Sequence, residues 1–219
     1  MKKKLRADLK ILVVGTTGAG KTSFVNRWIK KEFNEQYKAT IVSEFGIKTY
    51  ENNDHLYRIQ LWDIGGQDRS PSLTRIFAKD SFGCIVINDV NNEKCLEDTL
   101  RWKDAVYNES EFLDGEKLPF LLIQNKIDLI NNENLEEIKE ESKNIVEENN
   151  FIGYFLTSAK NNIGIDEAMN FIIENIIQRL EKYSTEGNQV FEDSQRHDTI
   201  QLDDFETESS KKNKKTQCC

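Results

Sequence analysis

The stretch Lys10-Ile-Leu-Val-Val-Gly15-Thr-Thr-Gly-Ala-Gly20-Lys21-Thr22 joins an apolar run to a glycine-rich loop and then to a segment with helical spacing, Lys21 to Lys30. Four consecutive aliphatic residues, Ile11 to Val14, suit a strand buried on both faces. The loop fits G-x-x-x-x-G-K-[ST] in the context that the motif requires, with a strand before it and a helix after it. Such a loop wraps phosphates with backbone N–H groups at a helix N-terminus, and glycine is needed where the backbone must come close. In this pattern Lys21 reaches β- and γ-phosphates and the Thr22 hydroxyl is offered to Mg²⁺. The motif alone leaves the base and the reaction open, and would serve a small-molecule kinase equally.

Outward from this loop the chain repeats short β-rich runs followed by longer helical segments, which signals an α/β domain with a largely parallel sheet. Phe82-Gly-Cys-Ile-Val-Ile87 and Pro119-Phe-Leu-Leu-Ile123 are almost continuously apolar, as central strands are. Tyr57-Arg-Ile-Gln-Leu-Trp62 alternates, and with Phe45-Gly-Ile47 across Asn52-Asn53-Asp54 it predicts a hairpin with one wet face. Tyr154-Phe-Leu156 completes the set. Helices are expected at Lys21 to Lys30, Cys95 to Tyr107, Leu135 to Glu148 and Ile165 to Leu180. The expectation is a P-loop NTPase fold: six strands, mostly parallel with one antiparallel, and helices on both faces.

With 219 residues the chain has room for one ordinary domain and something extra. No stretch approaches the roughly 18 consecutive apolar residues of a membrane-spanning helix. Thirty Lys and Arg against 38 Asp and Glu give a net charge of -8, the wrong sign for neutralising a nucleic-acid backbone, so no nucleic-acid partner is expected. A cytosolic chain is expected, since the apolar run after the basic N-terminus is too short for a secretory leader. The 4 cysteines match neither a disulfide framework nor a metal site. His55 and His197 have no Cys, Asp or Ser arrangement around them and read as solvated. Residues Glu186 to Ser210 carry eight acidic side chains against the single base Arg196. The organisation expected is a flexible N-terminus over 1–7, a folded domain over 8–182 and a disordered tail over 183–219.

Three further motifs narrow the ligand. Asp63-Ile-Gly-Gly66-Gln67 follows the alternating strand, placing a carboxylate where it can hold Mg²⁺ through water. Gly66 would offer a bare N–H to a γ-phosphate, and Gln67 can orient an attacking water. Asn125-Lys-Ile-Asp128 begins at the carboxyl end of a strand, where open parallel sheets bind ligands. Asp128 can accept from the ring N1–H and the exocyclic amine of guanine together, a donor pair that adenine lacks. Asn125 would bond the base edge and its loop, and the Lys126 stem would cover the base face. Thr157-Ser-Ala-Lys160 would support the same base from below.

The order and spacing of these four motifs resemble the Ras superfamily of small GTPases, and within it the Rab family, over residues 8 to 182 and again at the C-terminus. The resemblance implies a guanine-nucleotide site of Gly15, Gly18, Ala19, Gly20, Lys21, Thr22, Ser23, Phe33, Thr40, Gly66, Asn125, Lys126, Asp128, Ser158, Ala159 and Lys160. Thr22, Thr40 and Asp63 would serve the metal, and Gln67 and Lys21 would carry the catalysis. Phe33 corresponds to the aromatic that packs on guanine, and Phe45, Trp62 and Phe77 to the effector-facing triad. The segments around Ile64 and Gly153 to Ile163 further resemble the Rab branch associated with lysosome-related organelles. Val42-Ser43, Gly65, Asp68 and Ser70-Pro71 depart from the usual family residues in the two switches, which leaves the effectors, exchange factor and GAP (GTPase-activating protein) unidentified.

At the tail, Lys211-Lys-Asn-Lys-Lys215 precedes Cys218-Cys219, similar to the doubly prenylated end of Rab proteins. Two lipid chains bind membranes stably where one binds marginally, and the lysines add attraction to anionic cytosolic leaflets. Ile200-Gln-Leu202 resembles the short apolar motif held by Rab escort protein and GDP-dissociation inhibitor. The reading is a Rab-like switch that cycles between GDP and GTP, hydrolyses slowly without a GAP, and works on the cytosolic face of an intracellular membrane with a soluble pool. A non-hydrolysing GTP-binding scaffold and a P-loop metabolite kinase are the alternatives.

Overall fold

The computed structural model describes residues 4–36, 39–40, 43–53, 55–66, 76–92 and 94–185. Six strands, β1 (Lys4–Val14), β2 (Ser43–Asn52), β3 (His55–Ile64), β4 (Gly83–Asp89), β5 (Phe120–Asn125) and β6 (Gly153–Thr157), form one sheet in the order β2-β3-β1-β4-β5-β6. Every neighbouring pair is parallel except β2 with β3. Helices α1 (Lys21–Lys30), α2 (Cys95–Tyr107), α3 (Asn132–Glu148) and α4 (Ile165–Thr185) connect or follow the parallel strands. This is a largely parallel α/β architecture, as the alternation of elements predicts, and it matches the expected P-loop NTPase fold.

The burial of each strand follows its composition. All six residues of β5 are buried, as are the first six of β4, because both strands lie in the middle of the sheet with helices over them. β3 alternates, with Tyr57, Ile59, Leu61 and Asp63 turned inward and Arg58 outward. It returns from β2 through Asn53, whose φ of 50° is one that asparagine tolerates better than most residues. The long helix α4 lays Ala168, Met169, Ile172, Ile173, Ile176, Ile177 and Leu180 on the core. A Cβ added at Gly83 would stand 2.9 Å from Ile176 Cδ1, so the glycine at the start of β4 is what lets this helix close on the sheet.

Three boundaries differ from expectation. The flexible start expected over 1–7 is corrected from Lys4 onward, because Lys4, Leu5, Ala7 and Asp8 pair with His55 to Arg58 of β3. Its charges suggest solvent, but Arg6 donates to Glu181 on α4, Ala7 is buried, and the neighbouring Asp8 binds the Arg58 guanidinium. Helix α3 begins at Asn132 rather than Leu135, with the Asn131 side chain accepting from the Asn134 N–H at 2.9 Å. Helix α4 runs on to Thr185, three residues past the expected limit of the folded domain.

Because β1, β3, β5 and β6 are parallel, their carboxyl ends at Val14, Ile64, Asn125 and Thr157 lie at one edge of the sheet. The loops that follow them carry the four motifs, which the topology therefore gathers into one place. Truncating Ile176 to Ala removes packing at the point where α4 meets Gly83, and should cost about 2–5 kcal/mol of unfolding free energy. Denaturant unfolding under fixed solution conditions measures it, and a loss under 1 kcal/mol would show that this contact does not hold the helix.

Candidate functional site

The loop between β1 and α1 bends back at Gly15, with φ 143°, and again at Gly20, with φ 91°. Both positions need glycine: a Cβ at Gly15 would run into the Ile87 carbonyl, and one at Gly20 into the Asn125 side chain. Lys21 follows in the first turn of α1 with only 6% of its surface exposed. Its Nζ donates to the carbonyls of Gly15 and Thr16, each at 2.9 Å. Burial lowers the ammonium to about 8, and the charge of Asp63 offsets part of that.

Asp63, at the end of β3, is fully buried. One carboxylate oxygen accepts from the Thr22 hydroxyl, which lies 2.8 Å from the Thr40 hydroxyl. Since Thr22 spends its proton on Asp63, Thr40 is the donor in the second bond. The other oxygen, Oδ1, is buried with no hydrogen-bond partner. Burial raises the Asp63 carboxyl to about 6, against the Thr22 hydrogen bond and the Lys21 charge. An orphaned carboxylate oxygen beside two hydroxyls is a hard oxygen donor set, and these three side chains fit Mg²⁺. Gly66 lies against the same loop, where a Cβ would meet the backbone of Thr16 and Thr17.

On the other side of Lys21, Asn125 ties three segments together. Its Nδ2 donates to the Ala19 carbonyl at 3.0 Å, and its Oδ1 accepts from the Thr157 hydroxyl at 3.1 Å and the Ala159 N–H at 3.3 Å. Lys126 takes a left-handed conformation, φ 70°, and pairs with Asp89 at 2.7 Å. Asp128 sits in a short 3-10 turn, Ile127–Leu129, and accepts from the Ser158 hydroxyl, which in turn accepts from the Asn161 N–H at 3.0 Å. Lys160 reaches Glu35 at 3.0 Å. Gly18, Gly20, Thr22, Ser23, Phe33, Thr40, Gly66, Asn125, Asp128 and Lys160 all line one cleft of about 640 Å³, within the range of small-ligand sites.

The structure thus brings together the phosphate loop, Thr40, Asp63, Gly66, Phe33 and both base motifs. Phe45, Trp62 and Phe77 form a separate contiguous cluster, with ring centroids 5.1 Å and 6.1 Å apart in that order. Phe45 is 51% exposed, while Trp62 and Phe77 are half-buried against the core, so the cluster presents its Phe45 end to solvent. Gln67 lies outside the described residues, as do Val42, Asp68, Ser70-Pro71, Ile200, Leu202, Cys218 and Cys219.

Two contributors were not apparent in the sequence. Asp89 ends β4 in register with Asn125, which explains its pairing with Lys126, but a lone aspartate after an apolar run carries no motif. Arg27, in the last turn of α1, donates to the carbonyls of Ala159 and Lys160, a contact across more than 130 residues that no local pattern announces. No helix among the described residues is long and apolar enough to cross a membrane.

The chain matches the family model described as Ras family over residues 10–178. It is 34% identical over 211 residues to human Ras-related protein Rab-32, covering 96% of this chain and 88% of that one. It is also 34% identical over 190 residues to human Ras-related protein Rab-7L1, covering 83% and 90% respectively. A plant relative, Ras-related protein RABG3c of Arabidopsis thaliana, is 32% identical over 178 residues, covering 81% and 86%.

The raised Asp63 carboxyl sets a pH dependence in the protein stripped of nucleotide and metal. Between about pH 6 and 4 the folded state takes up a proton that the unfolded chain, with its carboxyl near 3.8, does not. Stability should therefore rise as pH falls through that window, by on the order of 2 kcal/mol. Asp63→Asn should flatten this rise in denaturant titrations, and an unchanged slope would show that Asp63 is not its source.

Proposed function

We infer, for a chain that belongs to the Rab family of small GTPases in the Ras superfamily, that the cleft cycles between GDP and GTP and that the GTP form recruits effectors. As a member of that family the protein hydrolyses GTP to GDP and phosphate and serves in membrane trafficking. Membership sets the metabolite-kinase alternative aside. The observation that carries the cycling is the Thr22, Thr40 and Asp63 cluster, because it joins three segments of chain around one orphaned carboxylate oxygen.

Thr22, Thr40 and Asp63 would hold Mg²⁺, which when bound supplies positive charge to the phosphate oxygens. Lys21 exchanges its two carbonyl partners for phosphate oxygens, and the burial that depresses its ammonium is relieved by their negative charge. Backbone N–H groups of Gly18, Ala19 and Gly20, with those of Thr22 and Ser23, surround the phosphates at the start of α1. Gly66 donates its N–H to the γ-phosphate and Gln67 orients the attacking water. Asp128 accepts from both guanine donors and is held for that task by Ser158, while Asn125, Ala159 and Lys160 support the base and Phe33 and Lys126 cover its faces. With no arginine assigned to the γ-phosphate, hydrolysis is slow, on the order of 10⁻⁴ to 10⁻³ s⁻¹, until a GAP supplies the charge.

Loss of the γ-phosphate releases Thr40 and Gly66, and with them the segments on either side of the Phe45, Trp62 and Phe77 surface. Rab escort protein and GDP-dissociation inhibitor hold the tail through Ile200 and Leu202. Prenyl groups on Cys218 and Cys219 anchor the chain to a cytosolic membrane face, with the inhibitor keeping a soluble pool.

Denaturing the purified protein should release guanine nucleotide near one per chain. Adenine nucleotide would overturn the role given to Asp128. Gln67→Leu should slow single-turnover hydrolysis by at least about tenfold with nucleotide affinity retained, and an unchanged rate would remove Gln67 from the mechanism. Replacing Cys218 and Cys219 together by Ser should move the protein from the membrane to the soluble fraction of a cell expressing it. An unchanged distribution would put the anchor elsewhere.

A further inference from the structure

Arg27 stands at the junction of three parts of the site. Its Nε donates to the Ala159 carbonyl at 2.7 Å and its two terminal nitrogens to the carbonyls of Lys160 and Lys31, each at 2.9 Å. None of these bonds goes to a carboxylate. Lys31 is the left-handed residue, φ 60°, that ends α1, and the Phe33 ring lies 5.7 Å from the guanidinium carbon. A planar, permanently charged fork spreads its donors over three nitrogens in fixed directions and so meets three separated carbonyls, whereas an ammonium concentrates its three donors on one atom at the end of a flexible stem.

The Ala159 peptide is consequently gripped from both sides, its N–H by Asn125 and its carbonyl by Arg27. Asn125 belongs to the base motif, but Arg27 belongs to the helix that begins at the phosphate loop. The guanidinium thus ties the far end of α1 to the loop beneath the base. None of its hydrogen bonds involves the phosphate loop, Thr22, Thr40 or Asp63.

We propose that Arg27 is a positioning residue that latches the Ala159-Lys160 loop, together with Phe33, over the bound guanine nucleotide and sets how long the nucleotide stays. The proposal rests on the assignment of that loop to the base. Removing the latch frees the base end of the cleft while leaving the hydroxyl and carboxylate cluster at the phosphate end in place. GDP and GTP should then leave faster by a similar factor, because both carry the same base.

The test is displacement of a fluorescent GDP or GTP analogue by excess unlabelled nucleotide at fixed Mg²⁺, on the full chain and on Arg27→Ala and Arg27→Lys. Release from Arg27→Ala should quicken by roughly tenfold for both nucleotides, equivalent to about 1.4 kcal/mol. Arg27→Lys, which keeps the charge but not the fork, should fall nearer to Arg27→Ala than to the parent. Single-turnover hydrolysis of the bound GTP should shift far less than release does, which a general loosening of the fold would not allow.

Release within twofold of the parent overturns the proposal, and so does a hydrolysis rate that falls as much as release rises. If Arg27→Ala does not fold, Arg27→Lys decides on the same two readouts. A parent protein that retains no guanine nucleotide defeats the assignment of the base site itself. A parent that retains it, with variants that release it no faster, defeats only the latch.

Discussion

Two opposite charges buried at the carboxyl edge of the sheet impose the condition that the rest of the site meets. Lys21 and Asp63 are both nearly inaccessible, and each is shifted toward its neutral form by burial. A charged group taken out of water is costly unless hydrogen bonds and opposite charge replace what hydration supplied. Lys21 finds two carbonyls, and Asp63 finds one hydroxyl and leaves one oxygen orphaned. Neither shell is complete. A polyanion for the lysine and a cation for the carboxylate would complete both, which is the balance that the proposed metal-bound phosphate chain would bring.

The fold supplies the framework that makes such a balance possible. β1 lies between β3 and β4, so the loops after Val14 and Ile64 leave from adjacent strands. Glycine at Gly15 lets the phosphate loop pass against the Ile87 carbonyl of β4, and glycine at Gly20 lets Asn125 of β5 reach over to the Ala19 carbonyl. Phosphate and base halves are therefore not two pockets brought together by chance. They share Asn125, whose amide nitrogen and oxygen make three bonds that hold one loop against the next.

How much of this could be read from the chain depends on whether the determinant was local. Central strands announce themselves because burial on both faces demands unbroken apolar runs, as in Gly83–Asp89 and Phe120–Asn125. The start of β1 is not legible because its charges suggest solvent, whereas Arg6 meets Glu181, far along the chain on α4. The motif residues could be picked out because the proposed phosphate, metal and base each demand particular atoms at fixed spacing, and the fold gathers them at one cleft. Arg27 and Asp89 could not, because their partners lie far along the chain and only the packing of α1 and β4 brings them together.

The aromatic surface illustrates how a local pairing can carry information out of the site. In the β2 and β3 ladder Glu44 stands opposite Asp63 and Phe45 opposite Trp62. Successive residues on a strand face opposite ways, so the carboxylate turned toward the cleft and the indole turned away from it share one backbone. Trp62 also packs between Phe45 and Phe77, and the Lys10 ammonium lies 4.7 Å from its ring centroid. A change in what Asp63 and Thr40 hold must act on the segments that enter and leave this ladder. The half-exposed Phe45 is the part of the cluster with least packing to resist it. The proposed reading of nucleotide state by effectors then needs no long relay, only the two faces of a single hairpin.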